Sequence, residues 1–276
     1  MRNMTIVALR VGLLGSCLAL AAHAEAADLK PEAVQGFDRY VRLSEERMQT
    51  ELRPGTAFLW VDGLPDARRN DVHARLQRGE VVSARLETRD VAGPIHVPGA
   101  MIHHWVGTVF IPGVSLQQVL TLLQDYDHHT IYFSPEVSRS RTLEHAGDDF
   151  KVYFRLTRKK IITVVLDTEY EVHYQRLDAN RAQSRSYSTR IVEIEHSAES
   201  AERSLPVGND HGFLWRLYSY WRFSEADHGV YVQCEAISLT RDIPTGLNWL
   251  IAPFIESIPR ESLEFTLRST RAGVMR

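Results

Sequence analysis

Cysteine is almost absent from this chain of 276 residues. Of its two cysteines, Cys17 lies in an apolar N-terminal segment and only Cys234 lies beyond it. Once that segment is removed, no intramolecular disulfide can form, so the hydrophobic core has to stabilise the fold unaided. Because Cys234 lies inside an apolar strand pattern, apart from any basic helix end, we interpret it as an inert buried thiol.

The chain also has little excess charge and no long hydrophobic run after residue 26. Its net charge of −3 argues against a nucleic-acid partner, which would need a concentrated basic surface. No later segment is apolar enough to span a bilayer. The one dense basic run, residues 155–160, is interpreted as a solvated strand end. Transient contact with an anionic membrane surface is the alternative that it leaves open.

Sequence motifs of the common nucleophilic, nucleotide-binding and metalloenzyme sites are missing. The chain has no Gly-x-Ser-x-Gly, no P-loop, no Gly-x-Gly-x-x-Gly and no His-Glu-x-x-His. Histidines are adjacent at His103–His104 and at His128–His129, but neighbours in a strand point to opposite faces, so such a pair cannot chelate one ion. We therefore predict no metal and no other cofactor, and the motifs assign no catalytic residue.

Residues 1–26 have the parts of a secretory signal peptide. Arg2 and Arg10 supply positive charge, residues 11–22 are an apolar run, and small residues that offer a cleavage site follow. A lipoprotein signal around Cys17 is the alternative, but the residues after this cysteine continue the apolar run instead of turning polar. We expect a cleaved signal and a monomeric protein in the periplasm or outside the cell.

Residues 27–95 are interpreted as a mixed N-terminal extension. The pattern predicts three elements, which are a helix over 31–52, a shorter helix over 71–78 and a strand over 81–86. In the first helix, Val34, Phe37 and Val41 form an apolar stripe that needs a surface to cover it, so we expect the extension to pack on the rest of the chain. An exposed stripe would instead favour an interaction module.

Residues 96–276 are interpreted as the main domain, in which the hydrophobic period changes from helical to two. The pattern predicts, in order, a strand over 103–111, a helix over 115–126 with Ser115 as its N-cap, strands over 150–156, 162–172, 183–194, 212–223 and 230–239, and a helix over 245–271. A turn is expected at Asp227–Gly229 and a polar loop over 195–211, with Pro206 and Gly208 inside it. Pro253 and Pro259 are expected to kink or divide the last helix. This order is typical of the α+β class, with helices segregated to one side of an antiparallel sheet.

Three strings of the main domain are distinctive: His103–Gly113 (HHWVGTVFIPG), His211–Arg216 (HGFLWR) and Glu235–Gly246 (EAISLTRDIPTG). With the order of elements, they resemble the START-like helix-grip superfamily, which includes polyketide cyclases, lipid-transfer domains and pollen-allergen-type carriers. The chain is similar to a group of exported bacterial members over about residues 96–274. The resemblance implies a curved antiparallel sheet wrapped around a long C-terminal helix, with a hydrophobic tunnel between them.

A tunnel of that kind would be lined by apolar side chains and a few fixed polar groups. The strands over 150–156 and 212–223 each have one apolar, aromatic face, which is also the pattern of a plain core. The candidate ligand-binding residues are Phe154, Tyr187, Arg190, Trp215, Leu217, Trp221, Arg222, Glu235, Leu250 and Phe254. Glu235 is a charge in an apolar strand and needs a partner such as Arg190 or Arg222. The pair could orient a ligand head group or hold the sheet together, and we favour the structural role.

The leading hypothesis is a non-enzymatic carrier or sensor that holds a hydrophobic, lipid-like molecule in the tunnel, with no nucleic-acid partner. The alternative is an enzyme of the cyclase or dehydratase kind, in which His104, Tyr187 or Tyr218 moves a proton inside the pocket. The resemblance does not decide between them, because this superfamily hosts carriers and enzymes on one scaffold. A pocket in which two titratable side chains converge would favour the enzyme.

Overall fold

The computed structural model describes residues 27–159, 163–197, 200–242 and 248–276, and the side chains there except those of 196–201 and 248–256. The expected signal peptide lies outside these residues. Five α-helices occur within them: α1 (Pro31–Glu51), α2 (Asp66–Gln77), α3 (Leu116–Gln124), α4 (His129–Tyr132) and α5 (Asn248–Val274). Short 3-10 turns cover Trp60–Gly63 and Tyr126–His128. No helix in this part of the chain is long and apolar enough to cross a membrane.

The strands of the described residues form one large antiparallel sheet and two small ones. Their bounds are β1 (Ala27–Asp28), β2 (Val82–Arg85), β3 (Arg89–Asp90), β4 (Gly93–Pro94), β5 (Ala100–Pro112), β6 (Val137–Ala146), β7 (Asp149–Lys159), β8 (Thr163–Arg176), β9 (Arg181–Ser197), β10 (Ser200–Ser204), β11 (Asn209–Asp210), β12 (Arg216–Ala226) and β13 (Gly229–Arg241). The large sheet has the order β2-β5-β13-β12-β9-β8-β7-β6, with β10 attached to β9. The predicted α+β class is confirmed.

Alternation of side chains with a period of two accounts for the main strands. In β7, Phe150 and Val152 are buried whereas Asp149 and Lys151 are exposed. β12 and β13 are joined by Asp227 and His228, which have φ angles of 54° and 60°. Positive φ at two successive residues is the backbone of a type I′ hairpin turn, so the turn expected at this point is confirmed.

The helix that follows β5 begins where its capping residue predicts. The Ser115 hydroxyl accepts a hydrogen bond from the backbone N–H of Gln118 (3.3 Å), and the Gln118 side chain accepts one from the backbone N–H of Ser115 (2.8 Å). This reciprocal capping box satisfies two N–H groups that the first turn cannot pair internally. The predicted N-cap of α3 is therefore confirmed.

The polar segment 195–211 is not a loop throughout, and in this respect the prediction is wrong. β9 continues to Ser197, β10 pairs back on it, and β11 pairs with β1 near the start of the described chain. Because these strands are polar and largely exposed, they lack the alternation of apolar residues that marks a half-buried strand. Pro206 and Gly208, which suggested a loop, lie between β10 and β11.

The C-terminal helix α5 is continuous, so neither of its two internal prolines divides it. Its second half lies against β5, where Leu263 and Leu267 are buried. Gly107 of β5 permits this contact, because a Cβ atom at that position would lie 2.7 Å from Leu267 Cδ1. A large antiparallel sheet held against one long terminal helix is the helix-grip arrangement that the resemblance implies, and the predicted fold is confirmed.

The N-terminal extension covers the opposite face of the same sheet. Phe37 and Val41 of α1 are buried in one cluster with Ile237 and Leu239 of β13. β2 joins the large sheet beside β5, so the predicted domain boundary at residue 95 separates this strand from the sheet to which it belongs. Because Phe37 is 0% exposed and Val41 is 7% exposed, the stripe that would have indicated an interaction module is covered by the protein itself.

Candidate functional site

The inner face of the sheet is the face that meets α3 and α5. Antiparallel pairing places residues from neighbouring strands side by side on this face. Three rows of register partners cross the sheet, with one residue from each of β5, β13, β12 and β9 in that order. The first row is Trp105, Ala236, Ser219 and Ser186; the second is Gly107, Cys234, Trp221 and Ser184; the third is Val109, Val232, Phe223 and Ala182. The outer face, which carries the alternate residues of the same strands, meets α1 and α2.

One end of the inner face is filled by the protein's own side chains. Val109, Val232 and Phe223 have no exposed surface, and α3 and the second half of α5 pack over them. In this closed end the hydroxyls of Tyr126 and Tyr174 are hydrogen-bonded at 2.9 Å. Burial raises the pKa of both tyrosines well above its ordinary value, so both are neutral donors within an apolar core.

The other end of the inner face is only partly covered. Trp105, Phe154, Leu217 and Trp221 are half-buried there, although they belong to the apolar cluster that packs under α3 and α5. The residues between them are short, and they are Ser184, Ser186, Ser219, Ala236 and Ser238. Short side chains among half-buried large ones are the pattern expected of a face that binds an apolar guest. These nine residues define the inner groove, which is the candidate functional site.

Several hydroxyl groups along the inner face have no hydrogen-bond partner among the described residues. Ser184 is 5% exposed and Ser238 is 6% exposed, and neither side chain is hydrogen-bonded there, although the described hydroxyl oxygens that are both fully enclosed and unpaired are those of Thr108 and Ser140. The Ser140 hydroxyl, in β6 opposite Phe154, is buried and likewise unpaired within the described chain. Buried polar groups are normally paired, so these hydroxyls have spare capacity to bind a polar group of a ligand.

Polar contacts hold α5 against strands on both sides of the inner face. On one side the Ser83 hydroxyl donates to Glu264 Oε1 at 2.7 Å, which ties β2 to the helix. On the other side Arg158 of β7 pairs with Glu261 of α5 (3.0 Å) and with Glu136. The second half of the helix is therefore fixed relative to the groove that it borders.

Glu235 lies on the outer face beneath α1. Its carboxylate, 3% exposed, is bonded to His104 Nε2 (2.7 Å) and to the guanidinium of Arg47, while the Tyr40 hydroxyl is bonded to His104 Nδ1 (2.9 Å). Burial by itself raises the pKa of Glu235, but the His104 contact and the charges of Arg47 and Arg222 hold this pKa below its usual value. The ionised carboxylate joins α1 to the sheet, which is the structural role favoured from the sequence.

Arg222 anchors the end of α1 and the chain that follows it. Its guanidinium donates to Glu51 Oε2 (2.8 Å), to the carbonyl of Phe58 (2.7 Å) and to the carbonyl of Met48 (3.2 Å). Because it is nearly fully buried, the charge is compensated by these acceptors and not by water. The Arg222 side chain therefore stabilises the contact between the extension and the sheet.

Two tyrosines of the outer face bind a second carboxylate of α1. The hydroxyls of Tyr187 and Tyr220 donate to Glu45 Oε1 at 2.5 and 2.8 Å. Burial, reinforced by the Glu45 carboxylate, raises the pKa of both tyrosines well above its ordinary value, so both remain protonated donors. Tyr218 packs edge-on against the ring of Phe37, with centroids 5.3 Å apart. None of these three tyrosines lines the inner groove.

The structure thus divides the sequence-predicted site residues. Phe154, Leu217 and Trp221 line the inner groove, whereas Tyr187, Arg222 and Glu235 lie on the outer face. Trp215 packs with the α1 cluster, and its indole N–H donates to Asp210 Oδ1 at 2.9 Å. The side chains of Leu250 and Phe254 lie outside the described residues.

Arg190 is not the partner of Glu235 that the sequence suggested. It is exposed and pairs with Glu169 at 3.3 Å. The register between β8 and β9 shifts between Glu169 and Tyr170, so that their partners are Arg190 and Ser188. Such a bulge changes which face the following residues point to, and alternation counted along the sequence cannot anticipate it.

His103 and the unpaired serines of the inner face were not selected from the sequence. The adjacent histidines gave the signal, since neighbours in a strand point to opposite faces. The structure confirms this alternation, because His104 lies under α1 whereas His103 is in register with Ser238 on the inner face. In the sequence, the alternating serines of β9 indicated only a polar strand.

No family model and no curated protein matches this chain. Among solved structures it is similar to a STAR-related lipid transfer protein of Xanthomonas axonopodis, with a TM-score of 0.43, 16% identity and coverage of 70% of this chain and 99% of that chain. An aromatase/cyclase from a Streptomyces species has a TM-score of 0.44 and 10% identity, covering 64% and 95%. A START superfamily protein of Mycobacterium smegmatis has a TM-score of 0.42 and 11% identity, covering 62% and 97%.

Proposed function

We propose that this protein is exported and binds a hydrophobic, lipid-like molecule in the inner groove without transforming it. One observation carries the proposal: half-buried Trp105, Phe154, Leu217 and Trp221 alternate with short side chains on a face whose other end is filled by fully buried side chains. Burying the uncovered apolar surface under a guest would supply the binding free energy, at roughly 25 cal/mol per Å² before ordering costs are subtracted.

The location of the titratable residues favours a carrier over the cyclase-type alternative. His104, Tyr187 and Tyr218, which that alternative requires inside the pocket, lie on the outer face beneath α1. A general acid or base has to be within hydrogen-bond reach of the proton that it moves. A guest in the inner groove would be separated from all three by the sheet itself.

The proposal is tested with a neutral fluorescent probe, N-phenyl-1-naphthylamine, which brightens when it enters an apolar site. Saturable binding is expected for the wild-type protein. The change Ser219→Leu places a bulky side chain in the groove and should weaken probe binding by about tenfold or more, because the leucine occupies space that the probe needs and a loss of about 1.4 kcal/mol is tenfold in affinity. Ser204→Leu, on the exposed strand β10, is the matched control and should leave binding unchanged.

A probe that binds both variants as tightly as the wild type would place binding elsewhere and contradict the proposed site. Export is tested separately by intact-mass measurement of the protein recovered from the periplasm of an expressing bacterium. A mass that corresponds to loss of the first 24 or 26 residues is expected, since Ala22-His23-Ala24 and Ala24-Glu25-Ala26 are the candidate cleavage sites. Recovery of the uncleaved chain in the cytoplasm would contradict export while leaving the binding proposal intact.

A further inference from the structure

His103 is a buried imidazole that borders the inner groove. It is 2% exposed and lies on the inner face, directly opposite Ser238 in the pairing of β5 with β13 and two residues from Trp105. Among the described residues its one hydrogen bond joins Nε2 to the Thr240 hydroxyl at 3.0 Å. The second ring nitrogen, Nδ1, has no hydrogen-bond partner there.

The hydrogen-bond pattern favours one tautomer of this ring. The Thr240 hydroxyl can donate to the carbonyl of Arg241 (3.2 Å), and it then accepts from His103 Nε2–H. Burial, and then the nearby charge of Arg85, lower the pKa of His103 to about 4. The ring is therefore neutral at neutral pH, protonated on Nε2, and offers Nδ1 as an acceptor.

A second unpaired group lies beside this acceptor. Ser238 is the register partner of His103, so their Cβ atoms are neighbours on the same face. The Ser238 hydroxyl is also unpaired among the described residues, and it can donate as well as accept. An alcohol has the same two capacities, so one ligand hydroxyl could donate to the imidazole and accept from the serine.

We infer, on the basis of the proposed function, that the inner groove is selective for an apolar molecule that carries a hydroxyl group, and that His103 is the acceptor for this hydroxyl. A carboxylate would match the site poorly, because it has no proton to give to Nδ1 and would lose its hydration on entering the groove. The cation at the other side of the groove, Arg158, is already paired with Glu136 and Glu261. Arg85 is exposed at the rim, where an ion pair with a ligand stabilises little.

The test measures how well three twelve-carbon compounds displace N-phenyl-1-naphthylamine from the wild-type protein: dodecanol, its methyl ether and dodecanoate. Dodecanol should bind about tenfold more tightly than the ether, which has the same chain but no proton to donate. In His103→Phe the ratio should fall to about one while the ether keeps its affinity. His96→Phe, an exposed histidine in the loop before β5, is the matched control and should retain the ratio.

Each outcome separates this inference from the proposed function. Displacement by alcohol and ether at equal concentrations would overturn the hydroxyl preference and leave the carrier proposal standing. Absence of any probe binding would remove both. Tighter binding of dodecanoate, lost in Arg85→Gln, would identify an anion site at the rim and contradict the role of His103. If His103→Phe does not fold, Ser238→Ala and the wild-type comparison of alcohol with ether still decide the question.

Discussion

The two faces of the large sheet bury polar residues in opposite ways. On the outer face, Glu235, Arg222 and His104 are all bonded to groups of α1 or of the chain after it. On the inner face, Ser184 and Ser238 are buried without a hydrogen bond among the described residues. The comparison teaches that the buried charges beneath α1 hold the extension in place. Unpaired neutral groups lie mainly on the inner face, although Thr108 of the outer face is also a buried hydroxyl without a partner among the described residues.

The largest expected effect comes from breaking the outer-face network at its centre. Glu235→Ala leaves His104 and Arg47 without their shared acceptor and should lower the free energy of unfolding by about 3–5 kcal/mol. The urea denaturation midpoint measures this loss. Binding of the naphthylamine probe should persist in the folded fraction, since the carboxylate does not face the inner groove.

The control for this change is Glu46→Gln, which removes an exposed carboxylate of α1 that is 3.9 Å from Arg42. A pair of this kind contributes less than about 1 kcal/mol, so the midpoint should barely move. Equal destabilisation by the two changes would show that the network beneath α1 has no special role. Loss of probe binding in Glu235→Ala under conditions where the protein stays folded would contradict the separation of the two faces.

Acid should destabilise the protein through the two buried histidines of the inner side. Burial, as the leading cause, lowers the pKa of His103 and of His129 to about 4. The unfolded chain, with ordinary histidine pKa values, binds more protons between about pH 6.5 and pH 4, so stability falls as pH decreases through this interval. Each histidine can contribute about 3 kcal/mol to the fall.

The measurement is the urea midpoint of wild type and His103→Phe across this pH range. On acidification, the free energy of unfolding of the variant should fall less than that of the wild type. The difference should be up to about 3 kcal/mol, which is the contribution of one histidine. Parallel pH profiles would indicate that His103 is not buried in its neutral form. The carboxylates titrate in both proteins, so the difference between the two profiles isolates the histidine.

The smallest effects come from removing single hydroxyls, one from each face. Tyr220→Phe deletes a bonded hydroxyl that donates to Glu45 and should cost about 1 kcal/mol of unfolding free energy. Ser184→Ala deletes a hydroxyl without a partner in the described chain, so stability should be unchanged or slightly higher. Equal losses from both changes would mean that the Ser184 hydroxyl is paired in solution and would weaken the contrast between the faces.

The sequence predicted the parts of the fold that local patterns encode. The N-cap at Ser115, the hairpin turn at Asp227 and the stripe of α1 each depend on residues within a few positions of one another. Which face of β13 is inside could not be predicted, because Tyr231 and Ile237 are as apolar as Val232 and Cys234. That choice depends on α1, which lies far away in sequence and covers the face carrying Glu235.

The same distinction explains the mixed outcome for the site. Phe154, Leu217 and Trp221 were identified because aromatic alternation is visible in a single strand. His103 and Ser238 were missed because their importance lies in a missing partner, which only the packed structure reveals. The absence of a hydrogen-bond partner cannot be recognised from the sequence alone.

The pairing of β2 with β5 has a practical consequence for dividing the chain. A fragment that started at residue 96 would keep the resemblance region but would lose β2, whose backbone hydrogen-bonds to Trp105–Thr108. The thirteen-residue strand β5 would then become an open edge with unsatisfied amide and carbonyl groups, a template for pairing with other copies. By covering this edge, the extension should reduce self-association. Expression of the shortened chain should therefore yield aggregates, whereas the longer chain should remain dispersed.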